Sequence, residues 1–442
     1  MHWLTKRLSD PETFYPAIDR AIEKLSLGPI SNQTKGLNDM HFEQLQRNKK
    51  PLAKHLSNLI QDPNFDFSAI KARQVKRGNK LRTVYIAPTL EDIYESAVSK
   101  CLIKQLRDYG LPGVYGFFPG QSPEKALKEI SKQLRQSERD RPWYVLRTDI
   151  SNYTDSIPTD SNSPLWPKIE NFLNHPDETA KLEKQTRSIL SKLFRPIAVT
   201  PDGAEFQFRT GVPMGRPIST FIAALYLRET DIMMRSFKNA FYIRYGDDII
   251  WMSTDYDQFA LGNKLLSENL EELKLTRQPQ KDQYIYLTRS GSKSNIHDYF
   301  EHKHYIEYLG LLVKRTGEIS LNNKQISKLK KELRYRIKNL SSFIKDKNNS
   351  TRIQNLVNAV NFALTEMLRE NRSKLTRLLS NTTDRSILKD TDYFIAYNIA
   401  MMLTNIRSTK CFREVSYKSL RNNFGLISLC QIKNNPGIDY AD

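Results

Sequence analysis

Residues 241–251, Phe-Tyr-Ile-Arg-Tyr-Gly-Asp-Asp-Ile-Ile-Trp, decide the fold of this chain. Apolar runs flank the adjacent aspartates Asp247 and Asp248, and this pattern predicts two short strands joined by a tight turn. Because successive side chains along a strand point to opposite faces, one ion pair cannot neutralise both carboxylates. Such oxygen ligands suit Mg²⁺, which usually binds one or two carboxylates and shares its remaining positions with phosphates. An aspartate pair in a turn is common by itself, so its interpretation depends on the rest of the chain.

The composition indicates a globular protein with a polyanionic partner. The chain has 442 residues, of which 39% are hydrophobic and 26% charged, and this length allows two or three subdomains. Lys and Arg number 68 against 49 Asp and Glu, which gives a formal net charge of +19. Solubility alone seldom needs so large an excess of one sign, so we expect nucleic acid as the partner.

The remaining composition predicts a cytoplasmic protein. No stretch approaches the roughly 18 apolar residues of a membrane span. Residues 1–10 contain no apolar signal-peptide core. Cys101, Cys411 and Cys430 are odd in number and widely spaced, so they indicate neither a disulfide framework nor a zinc site.

A third carboxylate lies upstream of the aspartate pair. The run Val145-Leu-Arg-Thr-Asp-Ile150 predicts a strand that ends at Asp149, beside the backbone carbonyl of Ile150. Three carboxylates from two strands can hold two Mg²⁺ ions, with Mn²⁺ as an alternative, and such ions activate an attacking hydroxyl and stabilise a leaving pyrophosphate. This chemistry asks a protein mainly for positioning and charge compensation.

Other segments surround this pair of strands. Residues 69–86 predict a basic hairpin, residues 211–219 form a Gly/Pro loop, residues 218–237 predict one long helix, and residues 305–313 predict a strand. Paired glycines let a backbone approach a nucleotide closely, although Gly/Pro loops before helices are common.

The positive charge is concentrated in residues 314–352, which contain twelve Lys or Arg and three acidic residues. Apolar residues recur there at helical spacing, at Ile326, Leu329, Leu333 and Ile337. They predict an amphipathic helix with its basic residues facing outward. Such a face is either merely solvated or follows a phosphate backbone, and its position after a metal site favours the second. The candidate nucleic-acid contacts are Lys324, Lys328, Lys331 and Arg334.

Taken in order, these segments resemble the reverse transcriptase family. They are the basic hairpin, Tyr115-Gly-Phe-Phe-Pro-Gly-Gln-Ser122, the Asp149 strand, Gly211-Val-Pro-Met-Gly-Arg-Pro-Ile-Ser219, Tyr245-Gly-Asp-Asp248, Lys281 and Tyr308-Leu-Gly310. The resemblance covers about residues 65–340. It implies RNA-directed synthesis of DNA from dNTPs, with an RNA template and a DNA product.

The fold that the resemblance implies is an α+β right-hand polymerase, with fingers, a ferredoxin- or RRM-like palm, a helical thumb and an all-α C-terminal extension. The expected segments are an N-terminal helical segment at 1–64, fingers at 65–145, a palm at 146–313 with a helical insertion at about 160–205, a basic thumb at 314–350 and the extension at 351–442.

The resemblance also implies roles for individual residues. Asp149, Asp247 and Asp248, with the carbonyl of Ile150, would bind the metals, and Arg82, with Lys80, would contact the triphosphate. Lys281 matches a lysine proposed to protonate the leaving pyrophosphate, and an ordinary surface lysine is the alternative. Further substrate contacts would come from Gly211, Met214, Gly215, Arg216 and Tyr245, and a primer grip from Tyr308, Leu309 and Gly310.

The chain departs from the family pattern at two positions. Thr154 lies five residues after Asp149, where the family usually has an aromatic ring that clashes with a ribose 2′-hydroxyl, and Tyr153 precedes it. We therefore expect weaker rejection of ribonucleotides than an aromatic residue would give. Met214 replaces a glutamine and cannot hydrogen-bond the substrate, so Arg216 either supplies a polar contact or is simply solvated.

Among reverse transcriptases, the chain resembles the stand-alone bacterial enzymes of the abortive-infection and defence-associated group. His-Asn-His, zinc and retron signatures are not found in the sequence. This resemblance implies antiphage defence, often with a dedicated non-coding RNA and with oligomers or a companion protein.

The alternatives are a template-independent or protein-primed DNA polymerase, with Tyr440 as one candidate nucleophile, an RNA-dependent RNA polymerase, and a nucleic-acid-binding scaffold with a silent site. Unused clustered carboxylates would only repel one another, which disfavours the scaffold.

Overall fold

The computed structural model describes residues 1–26, 42–62, 64–77, 80–108, 110, 113–117, 120–174, 183–289, 299–340, 349–370 and 374–430. The chain divides into two compact units. Unit one comprises residues 1–126, 143–285 and 297–301, and unit two comprises residues 127–142, 286–296 and 302–442. Helices and sheets occur together, which confirms the predicted α+β class.

The strands are β1 (Ile70–Arg77), β2 (Lys80–Ile86), β3 (Val114–Tyr115), β4 (Trp143–Asp149), β5 (Ile197–Val199), β6 (Glu205–Gln207), β7 (Ala240–Tyr245), β8 (Asp248–Ser253), β9 (Gln283–Leu287), β10 (Glu301–Lys303), β11 (Tyr305–Tyr308), β12 (Leu311–Lys314) and β13 (Ile319–Ser320). The helices are α1 (Trp3–Leu8), α2 (Tyr15–Ser26), α3 (Phe42–Arg47), α4 (Lys49–Asn58), α5 (Thr89–Asp108), α6 (Pro123–Gln136), α7 (Tyr153–Ser156), α8 (Leu165–Leu173), α9 (Lys184–Phe194), α10 (Pro217–Tyr226), α11 (Arg228–Arg235), α12 (Tyr256–Glu272), α13 (Asn323–Asn339), α14 (Asn349–Glu370), α15 (Lys374–Asn381), α16 (Arg385–Thr404) and α17 (Tyr417–Asn422).

The predicted basic hairpin is present as β1 and β2. The two strands are antiparallel from the pair Lys71–Ile86 to the pair Arg77–Lys80, and the turn at residues 78–79 lies outside the described part of the chain. Strand β5 pairs with β1 in parallel and with β6 antiparallel, which completes a four-stranded sheet. Buried Ile70 anchors the base of this hairpin.

The central sheet of unit one carries the aspartates and has the local order β4-β8-β7-β3. Strands β7 and β8 form the hairpin predicted from residues 241–251, and β4 pairs antiparallel with β8 so that Asp149 lies opposite Asp248. Helix α12 packs against β8 and β4, and α11 packs against β7. The strands therefore bring the carboxylates to one end of the sheet.

Two predicted elements are wrong in detail. The single helix expected at 218–237 is two helices, α10 and α11, because Leu227 leaves the helical region of backbone space with φ −99° and ψ 7°. The strand expected at 305–313 is the hairpin β11–β12, since Leu309 and Gly310 both have positive φ, 50° and 81°. A turn of this kind favours glycine at its second position, which here is Gly310. Because Leu309 is apolar, the sequence pattern continued through the turn and predicted one strand.

Unit two combines the sheet β11-β12-β13 with the helices α13 to α17. Helix α13 begins with a capping box between Asn322 and Gln325, and it packs against α16. It buries Leu329, Leu333 and Ile337, as the sequence predicts. Buried Arg315 donates to three main-chain carbonyls in residues 134–141, which ties this segment to the unit.

The division of the chain into an N-terminal helical segment, fingers, palm, thumb and C-terminal extension stays a prediction. No helix in the described ranges is both long enough and apolar enough to cross a bilayer.

Candidate active site

The turn that carries the aspartates is held by its own neighbours. Gly246, with φ 68°, and Asp247 form a two-residue loop between β7 and β8. Arg244 donates to the Gly246 carbonyl at 3.0 Å and, through two nitrogens, to buried Asp231 at 2.8 and 2.6 Å. The amide of Ile150 donates to the Asp247 carbonyl at 3.1 Å. The position of the turn is therefore set before any substrate binds.

The three aspartates differ in their partners. Both oxygens of Asp248 accept from Arg147, with Nε 3.1 Å from Oδ1 and Nη2 2.9 Å from Oδ2. Asp149 Oδ2 accepts from the ammonium group of Lys281. Asp149 Oδ1 is buried and accepts no hydrogen bond from the described residues. Asp248 thus accepts hydrogen bonds on both carboxylate oxygens, whereas Asp149 accepts from the described residues on only one.

Negative charge is crowded at this end of the sheet. Burial and, after it, the nearby charge of Asp149 together raise the pKa of Asp247 to about 6. Burial also raises the pKa of Asp248, and the hydrogen bonds from Arg147 oppose that effect. Since each shift reflects the cost of an ionised carboxylate here, a bound cation would be stabilised.

A cavity of about 730 Å³ opens over the aspartates. Its walls bring together seven of the residues selected from the sequence: Arg82, Asp149, Ile150, Thr154, Met214, Asp247 and Lys281. They come from the β1–β2 hairpin, the end of β4, helix α7, the Gly/Pro loop, the aspartate turn and the segment before β9. This size suits a nucleotide, and its charged groups suit a triphosphate.

The residues at this end of the sheet can bind a divalent cation, but the three aspartates do not converge on one point. Among the described residues, no group of three His, Cys, Asp or Glu is arranged to hold a metal. Both oxygens of Asp248 accept from Arg147 instead. The donors that remain are the unpartnered Oδ1 of Asp149 and the carboxylate of Asp247, with Ile150 beside them in the cavity wall. Two carboxylates are sufficient for Mg²⁺ when phosphates complete its shell.

Arg216 differs from both sequence-based alternatives. Its guanidinium is buried and pairs with Glu95 and, at 3.4 Å, with Asp92. The amide of Ile218 also donates to Glu95, at 3.0 Å. Arg216 is therefore neither solvated nor available to a substrate, because its charge neutralises a carboxylate buried under the Gly/Pro loop.

Two other expected substrate contacts have structural roles in unit one. Gly211, with φ 84°, lies so close to the backbone of Asp155 that a Cβ there would be 3.0 Å from its carbonyl oxygen. The ring of Tyr245 lies against Gly116 rather than in the wall of the cavity over the aspartates. The side chain of Lys80 is outside the described part of the structure.

The expected primer grip and basic contacts belong to unit two. The side chain of Tyr308 is fully buried, so it offers no surface contact, and Leu309 and Gly310 form the turn after it. The four basic candidates on α13 are exposed: Lys324, Lys328, Lys331 and Arg334. The guanidinium of Arg334 also lies 5.3 Å from the ring centre of Phe394, a cation–π contact.

A second cavity of about 860 Å³ adjoins the first. Phe117, Thr154 and Met214 line both, so the two cavities meet at these residues. One wall of the second cavity carries four cations from helices α2 and α5: Arg20, Lys100, Lys104 and Arg107. The other wall is the Gly/Pro loop and the start of α10.

The sequence contained signals for several residues that were not selected. Arg147 precedes Asp149 by two positions on a strand, which places both on one face. Lys100, Lys104 and Arg107 recur at helical spacing on α5, a stripe that marks one side of the helix. Phe117 had no such signal, because its approach to the aspartate turn depends on the parallel pairing of β3 with β7.

Residues 75–313 match the reverse transcriptase (RNA-dependent DNA polymerase) family, which is more than half of the chain. The chain therefore belongs to the reverse transcriptase family. The activity for which this family is named, RNA-dependent DNA polymerase, is therefore the activity of this chain. No match was found among curated protein sequences.

Solved structures of telomerase show a distant similarity. A telomerase from Candida albicans in complex with a TWJ fragment of telomeric RNA is 13% identical, with 86% of this chain and 67% of that chain covered and a TM-score of 0.45. An apo telomerase from Candida tropicalis is 12% identical, with 81% and 68% covered and a TM-score of 0.46. TM-scores below 0.5 identify no shared function.

Proposed function

We propose that this enzyme copies RNA into DNA at the cavity over the aspartates, and that Asp149 and Asp247 are the central carboxylates of its active site. The observation that carries this proposal is the single cavity that joins these two carboxylates with Arg82 and Lys281. A polymerase needs a metal-binding group, a cation for the triphosphate and a source of protons, and this cavity has a residue for each.

The residues divide the work by their chemistry. Asp149, Asp247 and the carbonyl of Ile150 would hold two Mg²⁺ ions, which would supply charge compensation at the reacting phosphate and activation of the primer hydroxyl. Arg82 extends from the fingers hairpin into the cavity and binds the triphosphate. Lys281, whose ammonium group pairs with the Asp149 carboxylate, gives a proton to the leaving pyrophosphate.

The second cavity supplies a path for the template. Lys100, Lys104 and Arg107 lie on exposed positions along α5, and the helical rise places the first and last about 10 Å apart. A row of cations at this spacing suits the phosphates of a single strand. Because this cavity meets the catalytic cavity at Thr154 and Met214, a strand bound there reaches the site of nucleotide addition.

The biological setting follows from the sequence resemblance. We infer antiphage defence in the cytoplasm, with a dedicated non-coding RNA as template and with a homo-oligomer or companion protein as partner. The net charge of +19 and the exposed basic residues of α13 support an RNA partner. Free thiols at Cys101, Cys411 and Cys430 are compatible with a reducing compartment.

One experiment tests the activity and separates the alternatives. Purified protein with its co-purifying RNA is incubated with Mg²⁺ and either dNTPs or rNTPs, beside the Asp247→Asn/Asp248→Asn variant and the matched Asp257→Asn, which changes an exposed aspartate on α12. DNA synthesis that is lost only in the double variant supports the proposal. RNA synthesis would identify an RNA polymerase. If neither dNTPs nor rNTPs give a product, the protein is a nucleic-acid-binding scaffold.

Sequencing the RNA and the product then identifies the template. A DNA copy of one discrete RNA supports a dedicated template, whereas a product unrelated to the RNA indicates template-independent synthesis. Protein that stays attached to DNA after denaturation indicates protein priming. The candidate nucleophile Tyr440 lies outside the described residues, and its replacement by Phe tests it directly.

A further inference from the structure

The wall of the catalytic cavity lacks an aromatic ring at residue 154, and the neighbouring tyrosine does not replace it. Thr154 lines the cavity with a small side chain. Tyr153 is only 3% exposed, and its hydroxyl donates to the carbonyl of Ala223 in the core. Its ring is therefore held in place as part of the wall and cannot turn toward a sugar.

Phe117 brings a different aromatic ring to the same place. It follows β3 and lines both cavities at their junction, as Thr154 does. Its ring centre lies 6.4 Å from that of Tyr153. The guanidinium carbon of Arg244 lies 5.7 Å from the Phe117 ring centre, within the range of a cation–π contact.

The contacts of Phe117 connect it to the aspartate turn. A Cβ built on Gly246 would lie 4.0 Å from Phe117 Cζ, so the ring occupies the space beside this glycine. Arg244, which lies over the ring, also donates to the Gly246 carbonyl at 3.0 Å. The ring and the turn therefore both contact the same buried arginine.

We propose that Phe117 determines sugar specificity in this enzyme, by contacting the ribose face of the incoming nucleotide and excluding a 2′-hydroxyl. The inference rests on the proposed function, since it requires the triphosphate to lie among Arg82, Asp149 and Asp247. The sugar of such a nucleotide reaches the cavity junction, where Thr154 leaves room and the ring of Phe117 closes it. A hydroxyl pressed against this ring loses its hydrogen bonds to water without gaining a partner.

The test compares Phe117→Ala and Phe117→Leu with the wild type on one primer–template. The ratio of kcat/KM for a dNTP to kcat/KM for the matching rNTP is measured. We expect Phe117→Ala to lower this ratio by about tenfold or more, mainly by raising the rNTP value, and Phe117→Leu to lower it less. Phe206→Ala, which removes an exposed ring from β6 in unit one, should leave the ratio unchanged.

An unchanged ratio in Phe117→Leu and Phe117→Ala overturns the inference, and so does a wild type that accepts both sugars equally. If thermal unfolding shows that the alanine variant does not fold, Phe117→Leu carries the comparison. Wild-type protein that makes no DNA at all would instead refute the proposed function. In Thr154→Phe/Phe117→Ala, a restored ratio would show that either ring can exclude the same hydroxyl.

Discussion

Arg147 binds both oxygens of Asp248, at 3.1 and 2.9 Å, while Asp149 on the opposing strand has a buried oxygen that no described residue hydrogen-bonds. The two aspartates lie directly opposite each other across β4 and β8. They share a location but not an electrostatic environment. Arg147 compensates the charge of Asp248 and Lys281 pairs with Asp149, whereas the charge of Asp247 is raised in cost by burial and by Asp149.

This difference predicts unequal effects of replacing the aspartates. We expect Asp149→Asn and Asp247→Asn to abolish detectable DNA synthesis, and Asp248→Asn to lower kcat by about 10- to 100-fold, as for loss of a group that orients a ligand. Single-nucleotide incorporation measures this, with Asp257→Asn as the control. Equal losses at Asp247 and Asp248 would show that Arg147 releases Asp248 during the reaction.

Arg82 should act on nucleotide binding. Its charge lies in the catalytic cavity and faces Asp155, whose burial-raised pKa it partly offsets. Arg82→Ala should raise KM for dNTPs by about 10- to 100-fold, since a charge-assisted contact to phosphate is lost. Arg73→Ala removes an exposed arginine from the same hairpin as a control. A similar increase in KM for both variants would point to general electrostatics instead.

Because Thr154 has a small side chain, we expect incomplete discrimination between deoxyribose and ribose. An aromatic ring in this position of the cavity wall would add a second obstacle to a 2′-hydroxyl, so Thr154→Phe should raise the dNTP-to-rNTP selectivity about tenfold. Competitive incorporation of the two nucleotides gives the value. If wild type and Thr154→Phe select equally, residue 154 does not contact the sugar.

The cation stripe on α5 should make template binding dependent on salt. Replacing Lys100, Lys104 and Arg107 by Ala removes three phosphate contacts, and the slope of log Kd against log salt for single-stranded RNA should fall by about 2. The control replaces Lys389, Lys410 and Lys418, exposed lysines of unit two, and removes the same charge. Identical slopes for both variants would contradict a template site on α5.

The ionised carboxylate of Asp384 should stabilise unit two, and this stabilisation should be lost in acid. It caps α16 and pairs with Lys314 at 2.6 Å, and hydrogen bonds from Lys314 and two serines outweigh burial and lower its pKa from 3.8 to about 2. A lowered pKa stabilises the ionised folded state, so this contribution is complete above about pH 4 and is lost as pH falls toward 2. Asp384→Asn should cost about 1–2 kcal/mol at neutral pH.

Acid unfolding followed by circular dichroism measures this effect. Asp384→Asn should weaken the dependence of stability on pH between about 4 and 2, whereas Asp390→Asn, an exposed neighbour on α16, should not. Parallel acid transitions for wild type and Asp384→Asn would show that the ion pair contributes nothing.

Local patterns were sufficient to predict the elements that carry the chemistry. The β7–β8 hairpin, the Asp149 strand and the amphipathic α13 all have the expected type, because side-chain alternation, turn residues and helical spacing act over a few residues. The same patterns selected Asp149 and Asp247, and the family resemblance added Arg82 and Lys281. The structure places all four in one cavity.

The partners of the charged groups were decided by the tertiary structure alone. Arg216 is buried against Glu95, which is 121 positions away in the sequence, and Asp248 meets Arg147 at a separation of 101. Phe117 reaches the aspartate turn only because β3 pairs with β7. The sequence by itself determined which carboxylates and cations are available. The packing of distant strands and helices decided which of them neutralise one another and which stay open to metal and substrate, because burial and pairing energies depend on neighbours that no local pattern specifies.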